Sequence, residues 1–134
     1  MDLVRMDLAR IIISEKAPEQ LIVLKERDGD RNFPILIGIL EAVAIDHKIK
    51  KIKPSRPMTH DLMENVIKAL GATLESVVIN ALIDKTFFAQ LNLVLDGKNI
   101  VIDSRSSDAI IMALHMNAPI FVDEDVLSEV SNEQ

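Results

Sequence analysis

The spacing of hydrophobic residues changes repeatedly along this chain, and that constrains its fold more than any other feature. Met6 to Ile13 and Leu21 to Leu24 read as strands, and the turn Asp28-Gly29-Asp30 leads into a third strand, Phe33 to Ile37. An Asp-Gly pair between two apolar runs is a strong hairpin signal. After Gly38 the period lengthens: Ala42, Ile45 and Ile49 repeat at helical spacing, with Glu41 in the first turn, where a carboxylate meets the positive end of the helix dipole. Pro54 and Pro57 end this helix and hold a short rigid loop around Arg56. Thr59 is a good N-cap for a second helix, in which Leu62, Met63, Val66, Ile67 and Leu70 form one apolar face and Gly71 marks the stop.

Strand periodicity then returns over residues 73–84 and 86–96. In the latter, Phe87, Ala89, Leu91, Leu93 and Leu95 alternate with more polar residues and are expected to point inward. Asp84-Lys85 and Asp96-Gly97 are tight-turn signals, so these strands form a meander with Asn99 to Asp103. A third helix, Ser107 to Met116, is apolar almost all round, which predicts a helix held between layers. Ile120 to Val122 reads as a short strand, and Asp123 caps a last short helix to about Val130. Strands in runs and helices in pairs predict an α+β fold. The expectation is a single domain over 1–134, with a mixed or antiparallel sheet and three to four helices packed on it.

Composition excludes several functions. A 49% hydrophobic fraction over 134 residues supplies a core and excludes a disordered chain. No apolar run approaches the roughly 18 residues that span a bilayer, and the first residues lack a basic start and a small-residue cleavage site. A soluble, cytoplasmic protein with no membrane partner is expected. The absence of cysteine excludes disulfides, thiolate chemistry and zinc fingers. A net charge of -6, from 15 Lys+Arg against 21 Asp+Glu, argues against coating nucleic acid over a wide area. It leaves room for local contact, since Lys48, Lys50, Lys51, Lys53 and Arg56 share one short segment. All four aromatic residues are Phe, too few for a base-stacking platform.

Three polar groups stand out as chemistry. One is Arg56-Pro57-Met58-Thr59-His60-Asp61, one is Asp103-Ser104-Arg105-Ser106-Ser107-Asp108, and the third is Glu41 on an otherwise apolar helix. Metal-assisted phosphodiester hydrolysis needs clustered carboxylates, a water to activate and a cation near the leaving phosphate. Glu41, Asp61, Asp103, Asp108, Arg56 and Arg105 meet that list if they converge. The order His47, His60-Asp61, Asp103 imitates the ligand order of helical phosphohydrolases, but Asp103 ends a strand, which excludes that arrangement. Plainer readings stand beside these: Asp108 compensates a helix dipole, Ser106 or Ser107 caps, and Asp103 pairs with an arginine to fix a loop. His115 lies two turns from Asp108, about 10.5 Å along the axis, and reads as a packed structural histidine. His47 reads as solvated.

These segments resemble the bifunctional nuclease family of bacteria and plants. Phe33-Pro34-Ile35-Leu36-Ile37-Gly38 with Glu41-Ala42 is similar to the family's "LPI-IG--EA", and Arg56-Pro57-Met58-Thr59-His60-Asp61-Leu62 to its "RP-THDL". Thr86-Phe87-Phe88-Ala89 is similar to its "TFYA", Asp103 to Ile110 to its "DSRPSDAI", and Pro119-Ile120 with Glu124 to Leu127 to its closing segment. Ser106, Lys85 and Phe88 stand where the family has Pro, Gly and Tyr. The resemblance implies an α+β domain that assembles as a homodimer and cleaves RNA and DNA.

On this expectation His60 is the general acid or base, since histidine titrates near working pH. Glu41, Asp61 and Asp103 hold Mg²⁺ or Mn²⁺ or activate water, and Arg56 and Arg105 bind the phosphate. The alternative expectation is a non-catalytic dimeric binding or regulatory module, whose polar clusters are structural or bind an anionic ligand.

Overall fold

The computed structural model describes residues 2–14 and 16–131. One seven-stranded sheet runs through it, in the order β3-β2-β1-β7-β4-β5-β6. The strands are β1 (Leu3–Ile12), β2 (Gln20–Glu26), β3 (Asn32–Ile37), β4 (Thr73–Ile83), β5 (Thr86–Leu95), β6 (Lys98–Arg105) and β7 (Ile120–Asp123). The helices are α1 (Ile39–Ile49), α2 (Thr59–Ala69), α3 (Ser106–Met116) and α4 (Glu124–Val130). Neighbours pair antiparallel except β4 and β7, which run parallel, so the sheet is mixed and the fold is α+β.

The alternation expected in β5 holds: Ala89, Leu91 and Leu93 are buried on the face that carries the core. Both meander turns have two central residues in the left-handed region, Asp84 and Lys85 (φ 50° and 64°) and Asp96 and Gly97 (φ 51° and 76°). That is the twist-matched two-residue turn a tight hairpin needs. The first hairpin is looser, closing from the Glu26 N–H to the Arg31 carbonyl around residues 27–30. Arg31 then holds it down, bridging Glu26 at 2.8 Å and Glu124 of α4 at 2.7 Å.

α3 is the central element. Ser106, Ser107, Ala109, Ile110, Ile111, Met112 and Ala113 are all buried, because α3 packs on β4, β5 and β6 and also on α1 and α2. The expectation of a helix held between layers is met. The sheet curls around this core strongly enough that Phe33 of β3 and Phe87 of β5 stack 5.4 Å apart, although four strands lie between them in the sheet.

Two local expectations need correction. The N-cap of α2 is Met58 rather than Thr59; its N–H donates to Asp61 at 2.9 Å, so Asp61 supplies the cap that Thr59 was expected to give. The expected apolar face of α2 is also turned around. Only Ile67 is buried, while Leu62, Met63, Val66 and Leu70 are exposed. The inward stripe is His60, Glu64 and Ile67, at i, i+4 and i+7. Ion-pairing side chains cannot be left unpaired in a dry interior, and their partners lie on α3. That requirement, rather than hydrophobic area, sets the rotation of α2.

Candidate functional site

Four elements each deliver one charged or titratable side chain to the same place. Asp108, in the first turn of α3, is the hub: its Oδ1 accepts from His60 Nε2 of α2 at 2.9 Å, and its Oδ2 accepts from Arg105 Nε at 2.8 Å. Arg105, where β6 passes into α3, reaches Glu41 of α1 at 3.3 Å. Gly38 makes room for this last contact. A Cβ there would lie 2.6 Å from Glu41 Oε2, so a larger residue would push this carboxylate aside.

The electrostatics follow from the geometry. Burial alone would raise the Asp108 carboxyl, but the bonds from Arg105 and His60 outweigh it and leave the group below its ordinary value. Asp108 in turn raises the Arg105 guanidinium. An ionised carboxylate only accepts hydrogen bonds, so the His60 proton sits on Nε2 and, in the neutral ring, Nδ1 carries the free lone pair. The His60 side chain keeps 17% of its surface exposed and Arg105 keeps 69%. The pair is thus ordered, yet open to a substrate.

A second histidine–carboxylate pair lies beside the first. His115 of α3 donates from Nδ1 to Glu64 Oε1 of α2 at 3.2 Å, and Lys68 holds the other Glu64 oxygen at 2.5 Å. Burial would raise Glu64, but the bonds from Lys68 and His115 leave it lowered. The His60 and His115 rings are 6.3 Å apart, and Asp61 Oδ1 is 3.7 Å from His115 Nδ1. His115 is packed, as expected, with 7% of its side chain exposed. Asp108 as partner of His60, and Glu64 as partner of His115, are the residues that sequence reasoning missed. Their signal is that each helix carries two polar positions on one side, 60 and 64 on α2 and 108 and 115 on α3.

The other expected site residues are placed differently. Asp103 is not part of the cluster. It stands opposite Gln90 in the β5–β6 register and so shares Gln90's face of the sheet, the reverse of the face carrying Ala89 and Leu91. Arg105 starts from that same face, opposite Phe88, but it is the last residue of β6 and reaches Asp108 and Glu41 from the strand end, two residues nearer α3 than Asp103. Arg56 is exposed in the loop before α2, with no ion-pair partner among the described residues. His47 is exposed. Glu41 is committed to Arg105, and Asp61 to the Met58 cap. Among the described residues no three His, Asp or Glu side chains are gathered as the ligands of a metal ion would be. Glu41, Asp61 and Asp103 are not gathered into such a set.

Of the cluster only Arg105 is well exposed; His60, Asp108 and Glu41 are largely covered. Two shallow hollows of about 260 and 270 Å³ exist, one lined by Arg5, Arg27 and Leu114, the other by Lys68, Leu74 and His115; neither includes His60, Arg105 or Asp108. No helix among the described residues is long and apolar enough to cross a membrane.

Fold and site together define an α+β domain with a partly buried histidine–carboxylate pair set beside an exposed arginine. The chain belongs to the bifunctional nuclease domain family, whose model matches residues 22–134. It is also similar to two curated proteins described as uncharacterized, from Mycobacterium tuberculosis strains CDC 1551 / Oshkosh and ATCC 25618 / H37Rv. Each is 40% identical over 119 residues, which is 89% of this chain and 71% of the relative.

Proposed function

We propose that the protein is a nuclease that hydrolyses phosphodiester bonds in RNA and DNA, with His60 as its acid–base group. His60 Nδ1 takes a proton from the attacking water as its oxygen bonds to phosphorus; the scissile P–O bond breaks, the leaving sugar oxygen takes a proton from solvent, and the imidazolium returns its own to solvent. Asp108 keeps the ring in the required tautomer and offsets the charge of the imidazolium as it forms. Arg105 binds the phosphate through the guanidinium nitrogens not engaged with Asp108, and Arg56 binds a neighbouring phosphate from the loop before α2. The observation that carries this reading is Asp108 bonded to His60 and Arg105 at once. It supports the reading by setting an imidazole and an exposed guanidinium side by side on one carboxylate. The exposed Arg105 supports a polymeric substrate contacted locally, in keeping with the acidic chain.

Mg²⁺ commonly binds through one or two carboxylates together with substrate phosphates, and Glu41 and Asp61 would take that role by exchanging Arg105 and the Met58 N–H for the ion. An ion held there would neutralise phosphate charge. We further take the protein to act as a cytoplasmic homodimer. The second reading is a non-catalytic binding module; it is favoured by Arg105, His60, Asp108 and Glu41 all being paired with one another in the resting arrangement.

Cleavage of end-labelled single-stranded RNA and DNA, with Mg²⁺, Mn²⁺ or EDTA, tests the reading. His60→Gln is expected to lower the rate by about 10²–10⁴, the usual worth of a positioned acid–base group. Asp103→Asn should leave it within twofold. Equal cleavage by wild type and His60→Gln would refute the mechanism, and no cleavage under any condition would select the binding module.

A further inference from the structure

The sheet ends on two edges, β3 and β6, and they are not alike. β3 is six residues long and carries Pro34, a common device against strand addition. β6 is longer, has no proline, and six consecutive residues from Lys98 to Asp103 are exposed. Among them are Ile100 (36%), Val101 (61%) and Ile102 (41%). Its outer row of backbone N–H and C=O groups has no strand partner among the described residues. An apolar edge of this kind is a template for another strand.

The sequence of β6 points to a second copy of itself. Two antiparallel strands related by a two-fold axis must place one residue opposite its own equivalent. Centring on Val101 puts Val101 against the partner's Val101, Ile100 against the partner's Ile102, and Asn99 against the partner's Asp103. Apolar groups then meet apolar groups, and an amide meets a carboxylate, with no like charges opposed. Centring on Ile100 would set Lys98 against the partner's Ile102, and centring on Ile102 would set Val101 against the partner's Asp103. Only the Val101 register is self-complementary.

We propose that β6 pairs with β6 of a second copy, centred on Val101, joining the two sheets into one of fourteen strands. The pairing has a consequence at the site. The partner's Lys98 falls opposite Ser104, the residue before Arg105. Lys98 pairs with Leu95, on the face carrying Leu91 and Leu93, so it stands on the helix side of the joined sheet. Each copy thereby lends a cation to the other's phosphate-binding region. This last step rests on the nuclease reading; the pairing itself does not.

The chain contains no cysteine, so a single introduced one reports the interface without background. Directly opposed residues in antiparallel strands have Cα atoms about 4.5–5.5 Å apart, within the usual disulfide range of about 4.4–6.8 Å. Val101→Cys is therefore expected to form a covalent dimer under mild oxidation at least about tenfold faster than Leu36→Cys, which is 60% exposed on the other edge. Light scattering should give the wild type twice 14.9 kDa. Val101→Lys, which sets two ammonium groups at the axis, should give 14.9 kDa. A dimeric wild type whose Val101→Cys cross-links no faster than Leu36→Cys would overturn the β6 interface and leave the homodimer standing. A monomeric wild type would overturn both, without bearing on cleavage, which is assayed separately.

Discussion

Asp108→Asn is the substitution that questions the site most directly. It keeps the side chain's size but removes the charge that accepts from both His60 and Arg105. The amide has one acceptor oxygen, so one of the two donors loses its partner. Arg105 is 69% exposed and retains Glu41 at 3.3 Å, so water and Glu41 replace most of its loss. His60, 17% exposed, has less water to turn to. A net hydrogen bond to a charged group contributes about 1.5–3 kcal/mol, and the partial exposure of this one reduces the expected cost to about 1–2 kcal/mol. With an unfolding entropy of about 2.1 cal/mol/K per residue over the 134 residues, that lowers Tm by about 4–7 °C.

The pH dependence supplies a second check. The folded Asp108 carboxyl lies below its ordinary 3.8, so the unfolded chain binds the proton first as pH falls. Its contribution is complete above the unfolded value and is lost as pH falls through the lowered folded value. The gap between wild type and Asp108→Asn, measured by urea denaturation, should be open at pH 7 and narrower at pH 3. A difference under about 0.3 kcal/mol at pH 7, within the reproducibility of such comparisons, would mean that the His60–Asp108–Arg105 chain does not form in solution.

Other positions make independent tests. Ile67→Ala, at the only buried position of α2, should cost about 2–4 kcal/mol, whereas Leu62→Ala and Leu70→Ala should each stay within about 0.5 kcal/mol; the reverse order in chemical denaturation would restore the conventional orientation of the helix. Lys85 sits at φ 64°, so Lys85→Gly should raise stability by about 0.5–1 kcal/mol, after the extra backbone entropy of glycine is set against the relieved strain. Arg31→Ala should lower stability by about 1 kcal/mol by freeing Glu26 and Glu124, and 1 M NaCl should shrink that difference. Gly38→Ala should hardly change Tm, since the clash is with the flexible end of Glu41, but it should displace that carboxylate from Arg105, visible as a weaker response of activity to Glu41→Gln.

Much of the fold was legible because it is written in local periodicity. The alternation in β5, the Asp96-Gly97 turn, the Asp123 cap that accepts from the Asp125 N–H, and the all-round apolar character of α3 each state a local requirement that the structure meets. The family was legible from four motifs in order. Of the site, His60, Glu41 and Arg105 were found because titratable side chains at the ends of apolar elements are conspicuous in a sequence.

What the sequence by itself determined about this protein is its set of elements, their boundaries to within a few residues, and the residue types available for chemistry. Tertiary structure alone decided which of those residues meet. Period two put Asp103 on the far face of the sheet from its sequence neighbour Asp108, a separation visible only once β6 is registered against Gln90 of β5. The rotation of α2 ran against its own hydrophobic pattern, because His60 and Glu64 find their partners on α3, 48 and 51 residues further along the chain. A helix's apolar stripe is a local property, whereas the cost of leaving a buried charge unpaired depends on what stands opposite, and the packing of α2 on α3 settles that.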